Sequence, residues 1–197
     1  DFWVNHSMLD VDPDTGALVG QPATWYNTEA GGKWSWRADS PYMGHVRIGS
    51  EGARGALAAS RLLVRSDKQR AGRWLAFART YGDFLIARQR AADGSIFGEW
   101  KRDGTVWAGG NFTNVGDMAI PLLVDLYDAT GVAAYRDAAL RVGEFSRLAM
   151  GPSFAYAGGA CDNANVLDKE GGVLAMEAFL ALHAMVLRER DADDAAA

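Results

Sequence analysis

The sequence predicts an all-α fold, an incomplete α/α toroid of antiparallel helical hairpins that follows an irregular N-terminal segment. Three observations lead to this prediction. The composition changes near residue 46, a segment of the chain repeats, and apolar helices alternate with amphipathic ones. At 197 residues, about half of them apolar, the chain is long enough to bury a sizeable core.

Residues 1–45 form the first part of the chain, and residues 46–197 form the helical part. The first part is rich in Gly, Asp, Asn, Pro, Trp and Tyr and has no helical period. The run Asp12-Pro13-Asp14-Thr15-Gly16 is typical of a tight turn, so we expect a β-hairpin or an irregular cap here. Asp10, Asp12 and Asp14 alternate as in a calcium loop, but the glycine and the twelfth-position Glu do not fit. A turn is therefore favoured over a metal site, and no cofactor is expected.

An internal repeat organises the helical part. A shift of 61 residues superposes residues 62–84 on 123–145 without a gap, and it places Gly82 on Gly143. A third, shorter copy begins at Gly172 and places Leu182 over Leu126. Each full copy is interpreted as a helix, a short connection and a second helix, which together make an αα-hairpin.

The two helices of a hairpin differ in kind. The first helices are apolar on nearly every side, as in the second copy with Met118, Ile120, Leu122, Leu123, Val124 and Leu126. The second helices are amphipathic, with a stripe of Tyr135, Ala138, Val142 and Phe145. Because a helix that is apolar all round must be covered all round, an inner ring of buried helices inside an outer ring is predicted.

Local signals mark the helix ends. Pro121 is tolerated only near a helix start, so the inner helix of the second copy is expected to open near Gly116 and Asp117. Gly131 is expected to end it, and Asp168 stands where an N-cap is wanted.

Composition excludes several classes of function. The net charge of −5, with no basic cluster, argues against a nucleic-acid groove. No apolar run approaches the ~20 residues needed to cross a bilayer, so a soluble protein without membrane contact is expected, either secreted or cytoplasmic. The single cysteine, Cys161, excludes an internal disulfide framework and is expected to be a small buried hydrophobe.

Two stretches carry a resemblance to a known family. They are residues 122–131 followed by 135–139, and residues 168–172 at the opening of an inner helix. The chain resembles, from Arg47 onward, the six-hairpin glycosidase superfamily, the (α/α)6-type toroids that include glycoside hydrolases and polysaccharide lyases. Such toroids have six or seven hairpins, whereas this chain has two and a half. We therefore expect a second chain or a further segment to complete the ring.

A second resemblance competes with the first. Residues 84–89, 93–95 and 98–100 are similar to the QW repeat of squalene–hopene-type terpene cyclases, which are also toroids. The catalytic Asp run of those enzymes is absent. A structural role is favoured for this stretch, in which Gln89 ties a helix end to the following loop.

In an α/α toroid the loops that enter the inner helices line a central funnel. By the repeat, these loops are residues 34–45, 100–117 and 154–170. Flat aromatic faces suit sugar rings, and polar side chains suit sugar hydroxyls. The predicted substrate-binding residues are Trp34, Trp36, Tyr42, Trp100, Trp107 and Asn111. The alternative is that the loop tryptophans anchor long loops.

Glycoside hydrolysis needs one carboxyl group as the acid and a second as the base or nucleophile. The predicted candidates are Asp117, Asp162, Asp168 and Glu170, although Asp117 and Asp168 could equally serve as helix caps. A lyase would instead abstract a proton with a residue such as His45, while His183 is expected to be a core histidine.

The predicted function is a carbohydrate-active enzyme that cleaves glycosidic bonds with Asp or Glu acid–base catalysis, a hydrolase ahead of a lyase. The predicted partner is a carbohydrate, with no nucleic acid. A non-catalytic helical-repeat scaffold and a terpene-cyclase-like toroid are the alternatives.

Overall fold

The fold is mainly α-helical, as the sequence predicts. A computed structural model describes residues 1–8, 19–23, 25–28, 33–35, 44–101, 103–107, 112–158 and 163–196. Within these residues the helices are α1 (Phe2–His6), α2 (Val46–Leu63), α3 (Lys68–Ala87), α4 (Ile120–Thr130), α5 (Ala133–Ala149) and α6 (Lys169–Ala196). Two antiparallel strand pairs accompany them, β1 (Trp25–Asn27) with β2 (Lys33–Ser35), and β3 (Gly44–His45) with β4 (Glu99–Trp100). Short 3₁₀ turns precede α4 at Gly116–Ala119 and follow α5 at Gly151–Ser153.

Consecutive helices pack as hairpins, α2 with α3 and α4 with α5, and α4 lies between α2 and α6. The outer helix of each hairpin crosses the inner helix of the next at a glycine. A Cβ atom added at Gly82 of α3 would clash with the Leu126 side chain of α4, and one at Gly143 of α5 would clash with Leu182 of α6. The sequence repeat aligns Gly82 with Gly143 and Leu126 with Leu182. The two crossings confirm both alignments, because each glycine meets the corresponding leucine.

The ungapped register of the repeat is wrong at the inner helices. α2 ends at Leu63, and a shift of 61 residues would set that end on Val124, well inside α4. Residues 64–67 connect α2 to α3, whereas residues 131–132 suffice between α4 and α5. The outer helices therefore share one register, and the inner helices require a gap.

α4 is the most completely buried helix segment, which confirms the prediction for a helix that is apolar all round. Leu122, Leu123 and Leu126 have no exposed surface. Pro121 lies in the first turn, after the 3₁₀ turn that begins at Gly116. Gly131 ends the helix with a φ of 69°, a left-handed conformation that glycine adopts without strain.

α5 has one buried stripe, as predicted. Tyr135, Ala138 and Val142 are buried, whereas Arg141 and Glu144 are exposed. The apolar stripe faces the inner helices and the charged side faces solvent, the arrangement that the amphipathic pattern predicts.

The start of the chain differs from expectation. Residues 2–6 form a short helix inside the segment that was predicted to be irregular and to lack a helical period. Trp3 holds α1 in place, because its ring packs edge-on at 4.6 Å from that of Phe77 and its Nε1 donates to the Ala23 carbonyl. The predicted turn at 12–16, with Asp10, Asp12 and Asp14, lies outside the described residues. The strand pair β1–β2 lies further along the chain.

Gln89 has the structural role that was predicted for it. α3 ends at Ala87, and the Gln89 Nε2 donates to the Gly94 carbonyl at 2.8 Å and to the Ala138 carbonyl at 3.0 Å. Its Oε1 accepts from the Arg141 guanidinium. Gln89 thus ties the end of α3 both to the following loop and to α5.

α2 and α6 run in the same direction. Arg47 contacts Glu170 and Arg54 contacts Glu177, each with an N–O distance of 2.6 Å. Both pairs are seven residues apart on each helix, so the order of contacts is the same along the two helices. The inner helices consequently begin at the same end of the molecule.

Among the described residues, one helix is long and apolar enough to cross a membrane by length and composition alone. It spans Lys169–Ala195 of α6. The expectation that no segment reaches this length is therefore wrong. Core helices of globular proteins meet the same test, and one face of α6 is packed against the hairpins through Ala175, Ala178 and Met185. His183 is exposed on this helix, so its expected place in the core is wrong.

Candidate functional site

The loops that lead into α2, α4 and α6 contact one another at one end of the molecule. β3 and β4 pair just before α2, and Val46 donates its N–H to the Gly98 carbonyl at 2.9 Å. The Asn114 side chain donates to the Ala164 carbonyl at 2.8 Å, which joins the loop before α4 to the loop before α6. The predicted clustering of these three loops is thus present in their described parts.

Asp117 lies in the 3₁₀ turn between these loops. Its side chain is 2 % exposed, and its Oδ1 has no hydrogen-bond partner in the described structure. Burial raises the pKa of Asp117 to about 7, against the smaller opposing effect of the backbone amides of Asp117 and Met118. At pH 7 roughly half of these carboxyl groups therefore keep their proton, which is the state that a general acid requires.

Close backbone packing produces this burial. The turn that carries Asp117 contacts α2, α5 and α6. Gly116 lies so close to the backbone of Ile96 that a Cβ would come 2.8 Å from its carbonyl oxygen. Gly158, with a φ of 86°, packs in the same way on the Val115 side chain. Two loops thus close over the acid, and each depends on a glycine at the point of contact.

Tyr156 is the polar neighbour of Asp117 that the sequence reasoning missed. Its pKa is raised by burial first and by the charge of Asp117 second, so the two groups interact electrostatically. Its ring packs edge-on against Phe179 of α6 at 6.3 Å. The only sequence signal was that Tyr156 lies in the loop assigned to the funnel.

His45 and Glu99 are direct cross-strand partners, and both are buried, at 3 % and 6 % exposed. Cross-strand partners have Cβ atoms about 4.5–5.5 Å apart, so an imidazole and a carboxyl group lie side by side before α2. The His45 Nδ1 caps α2 by accepting from the Arg47 N–H at 3.1 Å. Glu99 lies one residue before the predicted funnel segment 100–117, and its pairing with His45 could not be foreseen from the sequence.

Asp168 is an N-cap. Its Oδ1 accepts from the Gly171 N–H at 2.7 Å, directly before α6 begins at Lys169. Glu170 is 47 % exposed and forms an ion pair with Arg47 of α2. These two predicted catalytic residues thus have structural partners that account for their positions.

The predicted aromatic residues do not form one surface. Trp100 is fully buried, with its ring edge-on to Phe84 at 5.3 Å, so its indole belongs to the core and has no face for a substrate. Trp107 is half-buried, and its backbone N–H donates to the Glu99 carbonyl at 3.4 Å. Other predicted site residues, or their side chains, lie outside the described residues: Trp34, Trp36, Tyr42, Asn111 and Asp162. Cys161 does so as well.

A separate cleft lies at the opposite end of the hairpins. It has a volume of about 460 Å³ and is lined by Leu57, Ser60, Arg61, Val64, Lys68, Ala71, Gly72, Leu75 and Ala129. Among the described residues, no carboxyl group lines this cleft. The loop end remains the candidate site.

Comparison with known proteins adds no assignment to this geometry. No protein-family model matches the chain, and no curated protein matches it either.

Proposed function

We propose that the chain is part of a carbohydrate-active enzyme of the α/α-toroid type, which cleaves glycosidic bonds with Asp117 as the general acid. The observation that carries the proposal is the buried carboxyl group of Asp117, whose pKa is raised to about 7 at the loop end of the helices. An acid with this pKa delivers its proton to a leaving oxygen at neutral pH.

The toroid arrangement is supported by the packing of the hairpins. α2 and α6 run in the same direction, α4 lies between them, and α3 and α5 cross the next inner helix at equivalent glycines. Repetition of one hairpin with one crossing geometry is what builds an inner and an outer layer of helices.

In the proposed reaction, the protonated Asp117 donates to the glycosidic oxygen as the bond to the anomeric carbon breaks. A second carboxylate then activates water or attacks the anomeric carbon. Glu99 is our first choice for this group. It is buried in β4 and is the cross-strand partner of His45, which directly precedes α2. Asp162, which lies outside the described residues, is the alternative. Glu170 is ranked below Glu99 because its side chain is 47 % exposed, and Asp168 is ranked below Glu99 because it is the N-cap of α6.

A hydrolase is preferred to a lyase. A lyase base must receive the substrate proton on a ring nitrogen of His45. Its Nδ1 accepts the cap hydrogen bond from Arg47, so the neutral ring carries its proton on Nε2 and neither nitrogen is set to accept. Asp117, by contrast, holds a proton ready for donation.

The test is a panel of oligo- and polysaccharides, scored by release of reducing ends and by the ultraviolet absorbance of unsaturated uronides. We expect reducing ends without uronide absorbance, and a rate that falls as pH rises through about 7 because Asp117 loses its proton there. Asp117→Asn should lower kcat by at least about a hundredfold. Asp137→Asn, an exposed change on α5, should not.

Uronide absorbance that depends on His45 would favour the lyase. Binding of glycans without any cleavage, unchanged in Asp117→Asn, would contradict the enzyme proposal and favour a scaffold.

A further inference from the structure

The cleft at the end opposite to Asp117 is an unfilled part of the first hairpin. Each of its two helices contributes four residues with the same spacing, so each helix turns one face toward the other. These residues are Leu57, Ser60, Arg61 and Val64 of α2, and Lys68, Ala71, Gly72 and Leu75 of α3. Ala129, near the end of α4, lines a third side. Because three successive helices line it, the cleft lies inside the array and not at the edge where a further hairpin would join.

Small side chains on these two faces leave the space open. A Cβ atom added at Gly72 would meet nothing within 4 Å. The floor is apolar, since Leu57 is buried and Leu75 is half-buried. Ser60 adds no free donor, because its hydroxyl donates to the Leu57 carbonyl at 2.8 Å. The volume of about 460 Å³ is within the range of sites that hold a small organic molecule.

The charged groups that line the cleft are both cations. Arg61 is held there because its guanidinium donates to the backbone carbonyl of Asp125 at 2.9 Å. In the described part of the chain neither Arg61 nor Lys68 has an ion pair. Asp67, the acid next to Lys68, accepts from the Arg70 N–H at 3.0 Å and lies 3.4 Å from the Arg70 guanidinium. The cleft therefore combines an apolar floor with two positive charges that no described carboxylate neutralises.

We infer that this cleft binds an aliphatic carboxylate, a fatty-acid anion, with its chain along Leu57 and Leu75 and its carboxylate between Arg61 and Lys68. The two cations select an anion, and a guanidinium forms strong charge-assisted hydrogen bonds with a carboxylate. The apolar floor selects a hydrocarbon chain over a sugar or a free phosphate, which would leave that floor in contact with water. The site is separate from Asp117 and independent of the glycosidase proposal.

Isothermal titration calorimetry with dodecanoate tests the inference, and we expect saturable binding of one molecule per chain. Gly72→Leu should raise the Kd at least about tenfold, because its side chain fills the cleft. Gly55→Leu is the matched control, since Gly55 is also an exposed helix glycine whose Cβ would meet nothing within 4 Å, and its Kd should equal that of wild type. Circular dichroism should show both variants to be as helical as wild type.

Two further comparisons separate the role of the charge from that of the chain. Lys68→Gln should raise the Kd about threefold, whereas Lys169→Gln should not, although both lysines are exposed and directly follow the N-cap aspartate of a helix. Dodecanol, which lacks the carboxylate, should bind at least about tenfold more weakly than dodecanoate. Decanoate should also bind about tenfold more weakly, because two buried methylene groups are lost.

Three results would overturn the inference. The first is the absence of saturable binding, or the uptake of many dodecanoate molecules per chain as in detergent adsorption. The second is an equal effect of Gly72→Leu and Gly55→Leu, which would place the ligand outside the cleft. The third is equal affinity for dodecanol and dodecanoate, which would show that the two cations do not recognise the ligand.

Discussion

Replacing Asp117 by Asn should change how the stability of the protein depends on pH. In the unfolded chain an aspartate ionises near its ordinary pKa of 3.8, whereas in the fold burial raises the pKa to about 7. Below pH 4 both states are protonated, and the carboxyl group has no effect on the pH dependence of stability. Between pH 4 and 7 the unfolded state releases a proton that the folded state keeps, so the folded protein loses stability as pH rises.

The size of the effect follows from these two values. Each unit between 3.8 and about 7 contributes about 1.4 kcal/mol, which gives an upper estimate of about 4 kcal/mol at pH 7 and above. Asn has the same shape but does not ionise. The free energy of unfolding of Asp117→Asn should therefore rise relative to wild type by up to about 4 kcal/mol between pH 4 and pH 7, and the gain should then level off.

Urea unfolding at pH 4, 5, 6, 7 and 8, followed by far-ultraviolet circular dichroism, measures this difference. Asp193→Asn, an exposed change near the end of α6, serves as the control and should follow wild type at every pH. If the Asp117→Asn and wild-type stabilities stay parallel across this range, Asp117 is not a buried neutral acid. The general-acid assignment would fall with it.

Two further predictions concern the helices. In α3, Gly72→Ala should raise the free energy of unfolding by about 0.5–1 kcal/mol, since its Cβ meets open space. Gly82→Ala should lower it by about 1–3 kcal/mol by clashing with Leu126, and equal effects in urea unfolding would contradict the crossing geometry. Gln89→Ala should cost about 1–3 kcal/mol because it removes the hydrogen bonds to the Gly94 and Ala138 carbonyls, whereas exposed Gln69→Ala should cost under about 0.5 kcal/mol by the same assay.

The sequence predicts those parts of the fold that depend on residues close together in the chain. α4 is the clearest case, because Pro121 near its start, Gly131 after its end and an apolar run between them lie within one short segment. The cap at Asp168 and the tie at Gln89 are equally local. At both positions a side chain bonds to backbone three or five residues away, which a single sequence can reveal.

The candidate site was predictable only as far as its loops. β3 and β4 are two residues long, too short for an alternating pattern, so nothing in the sequence joins His45 to Glu99. Trp100 was expected at the surface because it lies outside the helices, but tertiary packing against Phe84 buries it. α6 is a second example of what the sequence leaves open. Its apolar pattern indicates that the helix needs cover on every side, but not what covers it.

The crossings explain why distant residues meet at one end of the molecule. At each crossing a glycine of the outer helix admits a leucine of the next inner helix, and this contact fixes the position of the helices along their axes. The inner helices can extend beyond the crossing by different amounts, so their ends lose the common register while α3 and α5 keep it. Because α2 and α6 run in the same direction, His45 and Asp168 both precede helices at the loop end, although 123 positions separate them. Asp117 lies between them. The glycine–leucine crossings produce the repeat in the sequence. They also place Asp117 at the same end of the molecule as His45 and Asp168.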